Sequence, residues 1–151
     1  MHTSLPAPVC GEGTTLLGRT LWQLTWRDRG AIERDATTLR ELRRVPYPTK
    51  AGASASTRQA AGGRRQLVTS DGSARLTFRD PRTLAKTGEV TVTEDGRPVT
   101  GVNEPECAQA VYADVLPTER IVRIDPVTGA VTASIGASGH LHADDSSPVP
   151  P

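Results

Sequence analysis

Glu12 lies between two glycines in Gly11-Glu12-Gly13-Thr14, and is the first residue of this 151-residue chain whose setting invites acid–base chemistry. Taken alone, such a loop reads as a solvated acid. Further on, Gly139-His140-Leu141-His142-Ala143-Asp144-Asp145 has metal-ligand residue types, and alternating histidines would share one strand face. That run adjoins Asp/Ser/Pro-rich residues 143–151, which read as disordered, so a tail without a metal is the favoured reading. Arg27, Arg29, Arg34, Arg40, Arg43 and Arg44 form a basic cluster without interleaved aromatics, which favours a solvated face over nucleic-acid binding. Cys10 and Cys107 allow one disulfide at most and read as independent thiols. No Ser/His/Asp or Cys/His triad, phosphate loop or Cys-x-x-Cys pair occurs.

Composition bounds what could position these residues. Hydrophobic content is 36% and aromatic content 3%, so a core must be built mainly from Leu, Val, Ile and Ala. Net charge is +1, which argues against a general binder of nucleic acids or membranes. The charge is unevenly spread: residues 1–75 carry 12 Lys/Arg and 6 Asp/Glu, and residues 76–151 carry 6 and 11. No stretch is apolar for long enough to span a membrane. Met1 to Val9 has neither a charged nor an apolar region of the signal-peptide kind, and localisation stays open.

An internal repeat sets the architecture. Asp35, Asp80 and Asp125 recur at a spacing of 45, as do Thr38, Thr83 and Thr128. In an Asp-x-x-Thr turn both short side chains can bond nearby amides and reverse the chain. Trp22, Leu67 and Tyr112 repeat at the same spacing on the preceding strand-like runs. The sequence predicts strands near 14–17, 21–26, 31–35, 39–45, 66–69, 74–79, 88–94, 98–102, 110–115, 120–124 and 130–135. Asp95-Gly96 marks a hairpin turn. Short strands at this period fit four-stranded β-propeller blades, and 151 residues hold about three of them. The predicted fold is therefore all-β and propeller-like, an incomplete ring with open blade edges through which the chain could self-associate.

Four motifs carry a family resemblance over residues 11–136: Gly11-Glu12-Gly13-Thr14, Leu21-Trp22-Gln23-Leu24-Thr25-Trp26, Ser70-Asp71-Gly72-Ser73 and Val102-Asn103-Glu104-Pro105-Glu106. In this order and spacing the chain resembles the plant- and bacterial-type glutaminyl-peptide cyclotransferases, which are five-bladed propellers. Residues 1–10 fall outside the match, and 137–151 are the tail. The resemblance implies cyclisation of an N-terminal glutamine to pyroglutamate, with release of ammonia and no cofactor. The partners it implies are peptides that begin with glutamine. Its members are often secreted or periplasmic. Glu12 matches the family's proton-shuttling carboxylate, Asn103 its oxyanion donor, and Trp26 a wall of the substrate cage. Trp22 reads as core.

The resemblance also has departures. Cys10 stands where an aromatic is expected, and Asp114 and Leu116 stand where the cage has Asn and Trp. Pro105 replaces a Leu. The family's opening Gln-containing loop and its Lys-bearing closing segment have no match. Residues 51–61, Ala-Gly-Ala-Ser-Ala-Ser-Thr-Arg-Gln-Ala-Ala, replace a Trp-containing motif. A one-base frame change explains the Ala-Gly-Ala-Ser sequence, and an ordinary linker explains it as well. Either way, residues 48–63 are predicted to be a long, poorly packed loop. Three functions then compete: a glutamine cyclase, a non-catalytic propeller fragment that binds a peptide or partner, and the product of a decayed gene. On the catalytic reading, the chain as it stands is expected to be inactive.

Overall fold

A computed structural model describes residues 10–26, 30–46, 55–59 and 63–136. Within these, the side chains of Cys10, Glu12 and Trp26 lie outside the description, although their backbones belong to strands. Residues 1–9, the segment 139–145, Arg27, Arg29 and the tail are outside it altogether.

The apolar residues alternate along short runs bounded by turn formers, and those runs pair as antiparallel meanders. The first sheet is β1 (Cys10–Leu17), β2 (Thr20–Trp26), β3 (Gly30–Asp35) and β4 (Glu41–Pro46), in that order. The second is β5 (Ala55–Gln59), β6 (Arg65–Ser70), β7 (Arg75–Arg79) and β8 (Lys86–Thr91). A small hairpin, β9 (Thr93–Glu94) and β10 (Arg97–Pro98), leads to the third sheet. That sheet is β11 (Val102–Cys107), β12 (Val111–Val115), β13 (Arg120–Ile124) and β14 (Val131–Gly136). Strand β5 contacts both β1 and β11, so these three first strands line the inner side of the arc. Among the described residues no helix is long and apolar enough to cross a membrane.

The Asp-x-x-Thr reading is realised atom by atom. Asp35 Oδ1 accepts from the Thr37 and Thr38 amides at 3.0 and 2.7 Å and from the Thr38 hydroxyl at 2.9 Å. Asp80 accepts from the Arg82 and Thr83 amides and the Thr83 hydroxyl, and Asp125 from the Val127 and Thr128 amides. Immediately after each Thr of the turn, Leu39, Leu84 and Gly129 all take positive φ, at 57°, 59° and 78°. Buried Arg34 and Arg79 donate to the Leu39 and Leu84 carbonyls at 3.1 Å and tie the first two turns to their sheets. Arg34 is therefore not part of a solvated basic face, as the sequence suggested. Arg43 and Arg44 pair with Glu33 and Glu41. Asp95 and Gly96, both at positive φ, form the hairpin turn read from the sequence.

The core lies between blades. Trp22, Leu24 and Ala31 of the first pack with Leu67 and Leu84 of the second. Val68, Leu76 and Phe78 of the second pack with Val102, Val111, Ala113, Val115, Val122 and Ile124 of the third. Trp22 is fully buried, as its core reading required, with its indole N–H unpartnered and Arg43 over its ring at 5.4 Å.

The strand predicted near 98–102 is not formed, residues 99–101 linking β10 to β11, and the structure corrects two further expectations. Trp22 pairs with Glu33, Val68 with Phe78, and Tyr112 with Arg123. The residue equivalent to Trp22 and Tyr112 is thus Val68, not Leu67. The β6–β7 connection is one residue shorter than its counterparts, which displaces the register and turns Leu67 toward the first blade. The second correction concerns the predicted loop. Residues 55–59 form β5, in register with β6 from Ala55↔Thr69 to Gln59↔Arg65. Backbone pairing needs no bulky side chain, and a small Ser56, buried in this sheet, fits the crowded inner position. The frame-change argument required this stretch to be unpaired, so it loses its structural support.

Candidate functional site

Five of the six candidate residues fall on the first two strands of blades one and three, and the sixth, Leu116, comes just after them. Cys10 and Trp26 are Cα partners at the start of β1 and the end of β2. Asn103 and Asp114 are Cα partners in the same part of blade three. Leu116 follows β12 and is half exposed. Its amide donates to the Gly101 carbonyl at 2.8 Å, at the mouth of β11. Gly101, at φ 83°, is required there, because a Cβ would meet the Leu116 oxygen at 1.9 Å.

Glu12 is positioned by an irregularity that the sequence reading missed. The β1–β2 register jumps from Gly11↔Thr25 to Thr14↔Gln23, so Glu12 and Gly13 together oppose Leu24. This is a β-bulge, which bends the strand. Strand β11 is bulged too, one residue off the equivalent position. Its register jumps from Asn103↔Asp114 to Glu106↔Tyr112, so Glu104 and Pro105 oppose Ala113. Glu104 takes φ 47°. Pro105 therefore sits where the ladder is already interrupted, and its missing N–H removes no paired bond. Gly13 and Pro105, each inside a strand-like run, were the signals that could have revealed both bulges.

Between these bulged strands lies straight β5, tied to blade three by the Cys107 amide, which donates to Ser56 Oγ at 3.0 Å. Burial pushes the Cys107 thiol up to about 11, so at neutral pH it is a protonated, packed side chain and not a nucleophile. On the outward face of blade three, Glu104, Glu106, Tyr112, Asp114 and Ile121 line a hollow of about 200 Å³. Among the described residues no cluster of three or more His, Cys, Asp or Glu could hold a metal ion.

A family model described as glutamine cyclotransferase matches residues 1–148. The chain belongs to the glutamine cyclotransferase family. It is 33% identical over 122 residues to the glutaminyl-peptide cyclotransferase of Arabidopsis thaliana, covering 80% of this chain and 37% of that protein. The glutaminyl cyclase of Myxococcus xanthus superposes with a TM-score of 0.77 at 33% identity, over 87% of this chain and 55% of the other. The WD40 domain of Neurospora crassa Pan2, at 8% identity and a TM-score of 0.58, shares the propeller fold alone. The chain thus spans between about a third and just over half of its cyclase relatives' lengths. The all-β, propeller-like architecture read from the repeat is what these likenesses and the three sheets have in common.

Proposed function

We propose that this chain carries the proton-moving carboxylate and the oxyanion donor of a glutaminyl-peptide cyclotransferase whose substrates are peptides beginning with glutamine. One observation carries the reading. In a chain of this family, the innermost strands of blades one and three are both bulged within their motifs, at Glu12 and next to Asn103, the two bulges lying one residue apart in the repeat. In the reaction the free α-amine attacks the γ-amide carbon of its own residue. The new C–N bond closes a five-membered lactam, and the bond to the leaving nitrogen breaks. Glu12 takes the proton lost by the amine and delivers it to that nitrogen, which departs as ammonia. Asn103 donates to the oxygen as negative charge builds on it. The remaining task is to hold the side chain curled over its own amine. On this reading Trp26 and Cys10, Cα partners across β1 and β2, belong to one wall of the cage, and Asp114 and Leu116 to the other.

That second wall is the weak part. Asp114 and Leu116 stand where the family resemblance calls for an amide and an indole, so the cage loses a neutral donor and an aromatic face; the family's Lys, a further oxyanion donor, also has no match here, and losing one such donor costs about 100- to 1,000-fold in rate. The 151-residue chain is therefore expected to release no detectable ammonia from a Gln-initiated peptide. A protein extended to its relatives' full length, with Asp114→Asn and Leu116→Trp, is expected to release it, and Glu12→Gln should abolish the release. Turnover that survives Glu12→Gln in the extended protein would overturn the assignment. Tight peptide binding with no turnover, even after extension, would instead favour a non-catalytic peptide-binding propeller.

A further inference from the structure

We propose that Asp71 is a positioning residue for Asn103, acting from blade two through the Gly72 carbonyl and the Gly101 amide. This role rests on the reading of Asn103 as the oxyanion donor and names what fixes its side chain. Strand β11 gives Asn103 little regular ladder of its own. Two rungs, Val102↔Val115 and Asn103↔Asp114, come before the register breaks at Glu104 and Pro105. Buried Val102 anchors the strand in one cluster with Val68 and Leu76 of blade two. The direction in which the strand sets out is then fixed by the residue before Val102, Gly101. That residue is held from two sides. Its amide donates to the Gly72 carbonyl and its carbonyl accepts from the Leu116 amide, each at 2.8 Å. The fit is close, since a Cβ on Gly101 would meet the Leu116 oxygen at 1.9 Å.

The Gly72 carbonyl is in turn aimed by Asp71. Its carboxylate accepts from the Ser73 amide at 3.1 Å and from the Ser73 hydroxyl. The same hydroxyl oxygen accepts from the Arg75 amide at 3.2 Å, so the side chains of Ser70-Asp71-Gly72-Ser73 close the turn on themselves. Gly72 takes φ 76° within it. The closed turn grips the connection from β8 to β11 at both ends. The Ala74 carbonyl takes the Val92 amide at 2.6 Å, and the Gly72 carbonyl takes the Gly101 amide. Between them the Val99 amide donates to the Val92 carbonyl at 2.9 Å and closes off the β9–β10 hairpin. A motif of blade two thereby sets where the inner strand of blade three begins, two residues ahead of Asn103. The Asp71–Arg75 ion pair is long, at 3.8 Å, and its arginine is more than half exposed, so the carboxylate works through the turn and not through the pair. A misplacement of about 1 Å at a reacting site can cost on the order of 100-fold in rate, which gives such a device a chemical use.

Asn103 is the only asparagine of the 151-residue chain, so selective isotopic labelling of asparagine nitrogen leaves one side-chain amide pair to follow by NMR. Asp71→Ala should shift that pair. It should also make the Gly101 amide exchange with solvent about tenfold faster, the factor expected for loss of one hydrogen bond. Asp71→Asn keeps an acceptor oxygen and should return both readings toward wild type, its own added pair being recognised by its absence from wild type. Asp125→Ala is the control for general loosening. It breaks a carboxylate turn in the blade of Asn103, beyond the far end of β13 from the Asp114↔Ile121 rung, and should leave the Asn103 pair in place. An Asn103 pair unmoved in folded Asp71→Ala overturns the proposal. So does a pair that Asp125→Ala moves as far, or one that Asp71→Asn fails to restore. Should Asp71→Ala unfold, Ser73→Ala takes its place with the same outcomes, because it removes the hydroxyl that joins Asp71 to the Arg75 amide. The readout needs no turnover, so its failure strikes the positioning role alone, whereas the ammonia assay judges the catalytic reading.

Discussion

In the second blade β6 is buried on both faces, with Leu67 packed toward blade one and Val68 toward blade three. In the third blade β12 buries Val111, Ala113 and Val115 and turns Tyr112 and Asp114 toward the hollow on its outer side. Strand β5 of blade two is straight, whereas β11 of blade three is bulged at Glu104 and Pro105. The turns differ too. Blade two holds Leu84 at positive φ with the buried Arg79 on its carbonyl; blade three places Gly129 there, and Ile124 replaces the arginine. The repeat therefore specifies where chains turn and which strands pair. What departs from it records what each blade faces: among the described residues, blade two packs against a neighbour on both sides and blade three against one.

The sharpest way to break this comparison is to force the repeat on blade three. Leu occupies the turn position in blades one and two, so Gly129→Leu restores the pattern. It is nonetheless expected to damage stability more than any other single substitution in the three blades' turns. A Cβ at Gly129 would meet the Thr91 carbonyl oxygen at 2.1 Å, backbone of the segment that leads from β8 into the hairpin. Left-handed strain of about 1–2 kcal/mol adds to overpacking of about 1–3 kcal/mol. Leu84 tolerates a similar φ, so the clash and not the dihedral decides the outcome. Gly72→Ala serves as the control: its φ is 76° and its Cβ would meet nothing within 4 Å. Thermal melts should show a large loss for Gly129→Leu and a small one for Gly72→Ala. Equal losses would mean that the dihedral, not the packed neighbour, sets the residue.

A smaller effect tests β5. Ser56→Ala deletes the acceptor for the Cys107 amide and leaves that inner-strand N–H without its partner. The expected cost is about 1–3 kcal/mol, read as a lower urea midpoint at unchanged slope. Hydrogen exchange should also show the Cys107 amide losing protection ahead of its neighbours on β12. If Ser56→Ala is neutral and residues 55–59 exchange freely, the loop read from the sequence was right and β5 does not tie the two blades together.

Legibility followed chemistry. The turns could be read from the sequence because Asp35, Asp80 and Asp125 form them with their own side chains, and identity alone reveals such a bond. The strand at 55–59 was hidden because its pairing is made by backbone and its buried residue is a serine, which carries no hydrophobic signature. The Leu67 register was missed because the β6–β7 connection is one residue shorter, and a fixed 45-residue spacing passes over that change. At the site, the motifs singled out Glu12 and Asn103 as members of an ordered set. That Asn103 faces Asp114 across a strand pair, and that both inner strands are bulged, depends on long-range pairing that no local pattern states.

The smallest effect separates the two turn carboxylates by pH. Asp80 accepts from two amides and the Thr83 hydroxyl, and the amide bonds from Arg82 and Thr83 hold its carboxyl below the usual range. Asp125 is lowered by the Val127 and Thr128 amides alone. Each folded-state pKa lies under its unfolded value of about 3.9. The stabilisation is therefore complete above that value and disappears as pH falls through the folded pKa. Asn at either position keeps an acceptor oxygen and loses only the charge. At pH 7, Asp80→Asn and Asp125→Asn should each lower Tm by a few degrees at most. Both losses should shrink as the melt is repeated at falling pH below 4, because wild type then loses its charge as well. The Asp80 loss should be the larger of the two and should persist to lower pH, because a third donor holds that carboxylate. Equal, pH-independent losses would show that the turns are held by geometry alone, and that blades two and three do not differ in this respect.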